Sequence, residues 1–284
     1  MHNLASALVL DCDVSEVRLL LERHAGVLLE QSSDFLRESI AAYATSVQMT
    51  AGADLIAALR SSSTHCDGLL QILLADHSTF FRYRELFDAL ENRVLPQMEE
   101  RKSADNPRSL RILSAGCSTG EEPYSIALSL CEALKGSSAG WKIHIIGSGI
   151  RRGALAAAER GLYTEAALKA VPRHWLSTYF ARVGDHFLVK PRVRNLVTFT
   201  PMNLARANFI GRFDCIFCVD VLAQFSAGQR SALLERLHMF LEPGGYLFVG
   251  QDEKVGPESG FQRESYLDCT YYQRPIAVAA RSGR

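Results

Sequence analysis

The chain has 284 residues, 31 of them basic and 31 acidic, so its formal net charge is 0; 48% are hydrophobic and 22% charged. That length is one or two domains, and the even balance excludes a nucleic-acid binder working by bulk charge or an acidic solvating protein. A mean hydropathy of +0.01 excludes disorder as the main state.

Seven cysteines, an odd number with no secretory signal ahead of them, point away from disulfides and towards a reducing cytoplasm. No run of about 18 apolar residues offers a membrane span.

Residues 1–75 read as all helical. An amphipathic pattern begins at Val14 and runs through Val17, Leu19, Leu20 and Leu21. A second covers 34–47, with Phe35, Ile40, Tyr43 and Ala44 at helical spacing, and 55–59 and 69–74 continue it. The segment carries four basic residues against nine acidic, a net −5 that leaves +5 for the rest. Ala75-Asp76-His77-Ser78-Thr79-Phe80-Phe81-Arg82 joins it to the remainder of the chain, its two aromatics and arginine suited to packing a domain junction. The expected division is a helical domain over 1–90 and an α/β domain over 91–284.

A polar run over 99–108, with Asn106 and Pro107, breaks the chain. Beyond it, strands are expected at 110–115, 142–146, 213–219 and 246–250, and helices at 121–134, 153–160 and 229–241. That alternation implies a doubly wound, mostly parallel sheet, with ligands at the carboxyl ends of its strands. Between 179 and 200, Phe187, Val189, Val193, Val197 and Phe199 alternate irregularly with basic residues. A small antiparallel β insert is expected there, at about 180–200.

The most informative stretch is Gly116-Cys117-Ser118-Thr119-Gly120-Glu121. It is a glycine turn between strand and helix that lets a ligand approach the backbone. The carboxylate of Glu121 suits a cationic nucleotide-like cofactor better than a phosphate. A plain strand–helix turn is the alternative. The same residues spell the Gly-x-Ser-x-Gly of a serine hydrolase, which would pair Ser118 with Asp214 or Asp220 and with His238. Cys215-x-x-Cys218 has zinc spacing, but residues three apart on a strand face opposite ways, so two buried thiols are the better account.

Taken together, His77–Arg82, the run SAGCSTGEEPYS at 114–125, Asn203-Leu204, residues 213–225 and residues 242–253 resemble the CheR-type chemotaxis receptor methyltransferases. The resemblance spans about 10–275. It implies a Rossmann-like S-adenosylmethionine methyltransferase domain with a small antiparallel insert, preceded by an all-α domain. The implied activity is methyl transfer to glutamate side chains on the cytoplasmic helices of chemoreceptors, leaving S-adenosylhomocysteine. Arg82 matches the family's arginine near the transferred methyl, where it would orient either the cofactor or the substrate carboxylate; it is the implied catalytic residue and part of the implied cofactor site. Glu121 matches the acid at the cofactor's amino end, and Asn203 and Leu204 match the adenine-side pair. Asp76, Ser78, Gly116, Gly149, Asp220 and Val221 complete the implied cofactor site. No metal ligand is implied.

The departures cluster. Where the family has Ser-Asp-Ile-Asp after the second strand, this chain has Ser148-Gly149-Ile150-Arg151, so the ribose-holding carboxylate is replaced by Gly149. A charge-assisted hydrogen bond is worth about 1.5–3 kcal/mol, or roughly ten- to hundred-fold in affinity. The family's Arg-Asn pair is Val219-Asp220, and its asparagine and threonine before Phe-Phe-Arg are Asp76 and Ser78. Gln224 replaces a tyrosine, and Gly-His-Ser-Glu has become Gly250-Gln251-Asp252-Glu253. The arginine-rich receptor-facing helix keeps only Arg37. A short insert implies no tethering to a receptor tail peptide. The alternatives are a degenerate domain that binds cofactor weakly or a signalling partner without turnover, and a methyltransferase for a different protein.

Overall fold

The computed structural model describes residues 14–26, 28–29, 31–49, 52–74, 78–104, 108–135, 140–206 and 211–276. Among them no helix is long and apolar enough to cross a membrane.

The described residues open with four helices: α1 (Val14–Ala25), α2 (Ser33–Ser46), α3 (Gly52–Ser61) and α4 (Ser63–Leu73). Helical spacing decides what they bury. Val17, Leu21 and Ala25 form one stripe of α1, and Cys66, Leu69, Leu70 and Leu73 one stripe of α4. Ser32 caps α2 by accepting from the Phe35 N–H. Helix α5 (Arg84–Ala89) passes through a π-helical turn, Leu90–Val94, into α6 (Leu95–Arg101). Pro96 has no N–H to give the preceding turn, a reason for the ladder to widen there.

The α/β part follows in chain order. It runs β1 (Arg108–Ala115), α7 (Glu121–Ala133), β2 (Trp141–Gly149), α8 (Arg152–Arg160), β3 (Leu162–Thr164), α9 (Arg173–Tyr179), β4 (Phe180–Val183) and β5 (His186–Val189). Then come α10 (Pro191–Arg194), β6 (Val197–Pro201), β7 (Phe213–Cys218), α11 (Ala227–Phe240), β8 (Leu241–Val249), β9 (Gln262–Tyr266) and β10 (Cys269–Gln273). Seven strands form one sheet in the order β6-β2-β1-β7-β8-β10-β9. The first five are mutually parallel, and β10 is antiparallel to both its neighbours, β8 and β9. The expected α/β class with a mostly parallel sheet is the one observed.

The period-2 rule sorts the core. Leu113, Ile216 and Leu247 face a cluster built with α1–α4 and α11. Ile112, Cys215, Phe217, Tyr246 and Phe248 face the other side, covered by Phe80, Phe87, Leu90, Val94 and Met98. Cys215 and Cys218 lie in opposite clusters. Burial holds both thiols well above their ordinary pKa.

Three expectations change. The small antiparallel sheet is β3-β5-β4, so it recruits Leu162–Thr164 from well before 180. Val197–Pro201, expected inside the insert, is the edge strand β6 of the main sheet, parallel to β2. Val197 and Phe199 alternate with Thr198 and Thr200, a one-sided pattern that an edge strand of the main sheet shares with a strand of a small insert. Strand β8 also starts earlier than expected. Leu241 pairs with Phe213, and Glu242-Pro243-Gly244-Gly245 loops out before Tyr246 pairs with Cys215.

Candidate functional site

Strand order turns back at β1, with β2 on one side and β7 on the other. Ligands in such sheets sit beyond the strands' carboxyl ends at that switch point, and a cavity of about 590 Å³ opens there. Gly116 and Ser118 line it after β1, Gly149 and Arg151 after β2, Leu204 after β6, and Val221 and Phe225 after β7. The helical segment closes it with Ala25, Leu28, Gln31 and Leu74. Hydrogen bonds hold that wall: Leu28 N–H donates to Gln224 O at 2.5 Å, the Asn203 side-chain amide to His24 O at 2.9 Å, and Arg151 Nε to Gln71 O at 3.1 Å.

The glycine turn is built for close approach. Gly116 has φ +76, and a Cβ there would lie 2.8 Å from Val221 Cγ2. Gly120 has φ +94 and caps α7. Gly149 differs: its φ is not left-handed, and an added Cβ would meet nothing closer than Leu155 Cδ2 at 3.7 Å.

Of the residues read from the sequence, Gly116, Gly149, Leu204 and Val221 line the cavity. Asn203 does not. Its Oδ1 accepts from Ala205 N–H at 3.0 Å while its amide group reaches α1, so the side chain is a bracket between the two halves of the chain. Glu121 is buried in the first turn of α7, its carboxylate accepting from Thr119 Oγ1 at 2.7 and 2.9 Å. A carboxylate at a helix N-terminus is favoured by the helix dipole. Ser78 is half-buried in the loop before Phe80. Asp76 and His77 lie outside the described residues.

Arg82 and Asp220 meet each other. Arg82 Nη2 lies 2.6 Å from Asp220 Oδ2, and Tyr83 OH donates to the same carboxylate at 3.1 Å. Phe81 (φ +51) and Tyr83 (φ +56) flank Arg82 in left-handed conformations, and Ser118 and Asp220 are left-handed as well. Four of the six such non-glycine residues described are therefore in this one neighbourhood. Bulky residues hold this region only when packing over-determines it, and such strain gathers at working sites. Here Phe81 and Phe87 are edge-to-face at 5.0 Å, and Phe81 N–H donates to Ser125 Oγ at 2.9 Å.

Two carboxylates had no role assigned from the sequence. Glu253 accepts from the backbone N–H groups of Gly250, Asp220 and Ala223 at 2.8, 3.0 and 2.8 Å. Glu122 accepts from Ser114 Oγ at 2.6 Å. Burial pushes the Glu122 carboxyl up to about 7; Asp220 and Glu253 push the same way, against Ser114 and Arg82. Position beside Glu121 in the glycine-turn run was the signal for Glu122. The wall from α1 and α4 had no local signal.

The Glu122 shift has a sign. The folded carboxyl holds its proton above the ordinary value of 4.5, so its contribution to stability is full below that value and is lost as pH rises through about 7. Glu122→Gln keeps the oxygen that accepts from Ser114. The variant is expected to match wild type in urea unfolding near pH 4, and to exceed it by about 1–3 kcal/mol at pH 8. An equal difference at both pH values would show that Glu122 does not titrate in this range.

The hydrolase alternative does not assemble. Asp214 sits at the opposite end of the sheet, 2.7 Å from Lys102 and accepting from Arg111 N–H at 2.8 Å. His238 packs edge-on against Phe261 at 5.1 Å.

An adenosyl cofactor fits the cavity. Leu155, Met202, Leu204 and Phe225 offer apolar walls, and the turn at Gly116 has no side chain in the way. At Gly149 the cavity wall has room for a side chain and holds no carboxylate.

A family model described as CheR methyltransferase, SAM binding domain, matches residues 76–270. The chain is 30% identical over 255 residues to chemotaxis protein methyltransferase 1 of Pseudomonas aeruginosa, covering 86% of this chain and 91% of that one. It is 31% identical over 245 residues to chemotaxis protein methyltransferase 1 of Vibrio cholerae, covering 83% and 86%. It is 32% identical over 190 residues to the chemotaxis protein methyltransferase of Borreliella burgdorferi, covering 66% and 67%. Among solved structures, the N-methyltransferase NodS of Bradyrhizobium japonicum overlaps at a TM-score of 0.36 with 10% identity, over 67% of this chain and 97% of that one, too little to carry an argument. With most of its length matched and the switch-point cavity built on the same run of residues, this chain belongs to the CheR methyltransferase family and carries its S-adenosylmethionine-binding domain.

Proposed function

We propose that this chain transfers the methyl group of S-adenosylmethionine to glutamate side chains on the cytoplasmic helices of chemoreceptors, acting in the cytoplasm and without tethering to a receptor tail peptide. The observation that carries the reading is Arg82, held between two strained residues next to the switch-point cavity. The names of the relatives supply the chemotaxis context.

Bound in the cavity, the cofactor supplies a methyl group activated by its positive sulfur. The acceptor carboxylate is ionised at neutral pH, so no strong base is required. The new bond joins carboxylate oxygen to methyl carbon, the carbon–sulfur bond breaks, and its electrons leave with S-adenosylhomocysteine. The protein's tasks are orientation and exclusion of water. Arg82 orients the acceptor carboxylate, Leu28, Leu74 and Phe225 shield the cavity, and Glu121 with the Gly116 turn takes the amino end of the cofactor.

The test is calorimetric titration with S-adenosylmethionine and S-adenosylhomocysteine, followed by methylation of receptor cytoplasmic fragments. Arg82→Ala is expected to lower turnover by at least about a hundred-fold while S-adenosylhomocysteine affinity stays within a few-fold. Retained turnover would remove Arg82 from the site. One feature favours a second reading, a domain that binds without turnover: Gly149 stands where the resemblance implies a ribose-holding carboxylate. Cofactor binding with no methylation of any receptor fragment would establish that reading.

A further inference from the structure

Asp220 already places a carboxylate on Arg82. Its Oδ2 lies 2.6 Å from Nη2, with the Asp220 side chain 31% exposed and that of Arg82 42%. The carboxylate is held from several sides. Tyr83 OH donates to both oxygens, Asp220 N–H is taken by Glu253 Oε2 at 3.0 Å, and Gln224 Nε2 donates to Asp220 O at 2.9 Å. Gly250 makes room, since a Cβ there would sit 2.2 Å from Asp220 Oδ1. The charged groups that face it are Arg82, Glu122 and Glu253. The next residue, Val221, lines the cavity.

We propose that Asp220 occupies the seat on Arg82 that an acidic methyl acceptor must take, so that Asp220 sets how strongly this site accepts a carboxylate. The inference rests on the function proposed above. An incoming carboxylate meets like-charge repulsion from Asp220 until it displaces that side chain from the guanidinium. Exchange is feasible because the pair is half-exposed and screened by water. The site is then selective against weak acidic acceptors and turns over only those that other contacts hold in place.

The experiment uses the full chain and Asp220→Asn. Asparagine tolerates the left-handed backbone at this position and still accepts from Tyr83. The first readout needs no turnover: the rate at which phenylglyoxal modifies Arg82, followed by peptide mass mapping, with glutarate as the competing carboxylate. In the variant, Arg82 is expected to react several-fold faster. Glutarate is expected to protect it at about three- to ten-fold lower concentration. The second readout is methylation of a soluble chemoreceptor cytoplasmic fragment. Its KM is expected to fall by a similar factor, with S-adenosylhomocysteine affinity unchanged.

Unaltered labelling and protection would overturn the proposal. So would a lost kcat at constant KM, which would make Asp220 a positioning residue for Arg82, or weakened S-adenosylhomocysteine binding, which would place it in the cofactor's site. If neither protein methylates the fragment but labelling and protection change as expected, the acceptor reading fails while the Asp220 seat stands. Tyr83→Phe, which removes one contact holding Asp220, gives a smaller change in the same direction and serves if Asp220→Asn does not fold.

Discussion

Replacing Glu253 with alanine is expected to destabilise the protein by about 2–4 kcal/mol and to weaken cofactor binding with it. Glu253 is 9% exposed, and its two oxygens take three backbone N–H groups. One belongs to Gly250 at the end of β8, and two belong to Asp220 and Ala223 in the turn after β7. Each N–H left without an acceptor costs about 1–3 kcal/mol. Against that stands the carboxylate's own burial, which raises its pKa despite the three donors, so the net loss is smaller than the sum. Because Val221, Ala223 and Phe225 line the cavity, a loosened turn also opens the cofactor wall. Glu253→Gln keeps one accepting oxygen and is expected to lose about half as much. Urea unfolding of the three proteins measures this, with S-adenosylhomocysteine titration alongside. A loss below about 0.5 kcal/mol in the alanine variant would show that water already serves these N–H groups.

Gly149→Asp is expected to tighten S-adenosylhomocysteine binding about ten-fold. The position lines the cavity at the end of β2. Its backbone is not left-handed, and the nearest atom to a new Cβ, Leu155 Cδ2 at 3.7 Å, is at ordinary van der Waals distance. A carboxylate there can accept from both ribose hydroxyls. Arg151 is the nearest competitor for it. Its Nε donates to Gln71 O at 3.1 Å, which ties the guanidinium back to α4. No gain in affinity, with the thermal unfolding curve unchanged, would mean that the ribose lies elsewhere in the cavity.

What the sequence shows and what it hides divide along a physical line. Local chemistry is legible. Short apolar runs marked β1, β2 and β7, and glycines at 116 and 120 marked the turn between strand and helix. One residue run carried the family. Each of these signals comes from neighbours within a few residues. Edge strand β6 was misplaced because a short strand with one apolar face, Val197 and Phe199 between threonines, looks like part of an irregular insert. Asn203 was expected on the adenine side, yet it does not line the cavity and its side chain turns to His24, 179 residues away.

The sequence by itself determined the α/β class, the glycine turn, the place of Phe80-Phe81-Arg82 in the motif and the glycine at 149. Tertiary structure alone decided that α1 and α4 wall the cavity, that Glu253 holds the turn after β7, and that Asp220 neutralises Arg82 across 138 positions of chain. Those pairings are set by strand order and by which side chains the crossovers bring to one end of the sheet, and no local pattern encodes them.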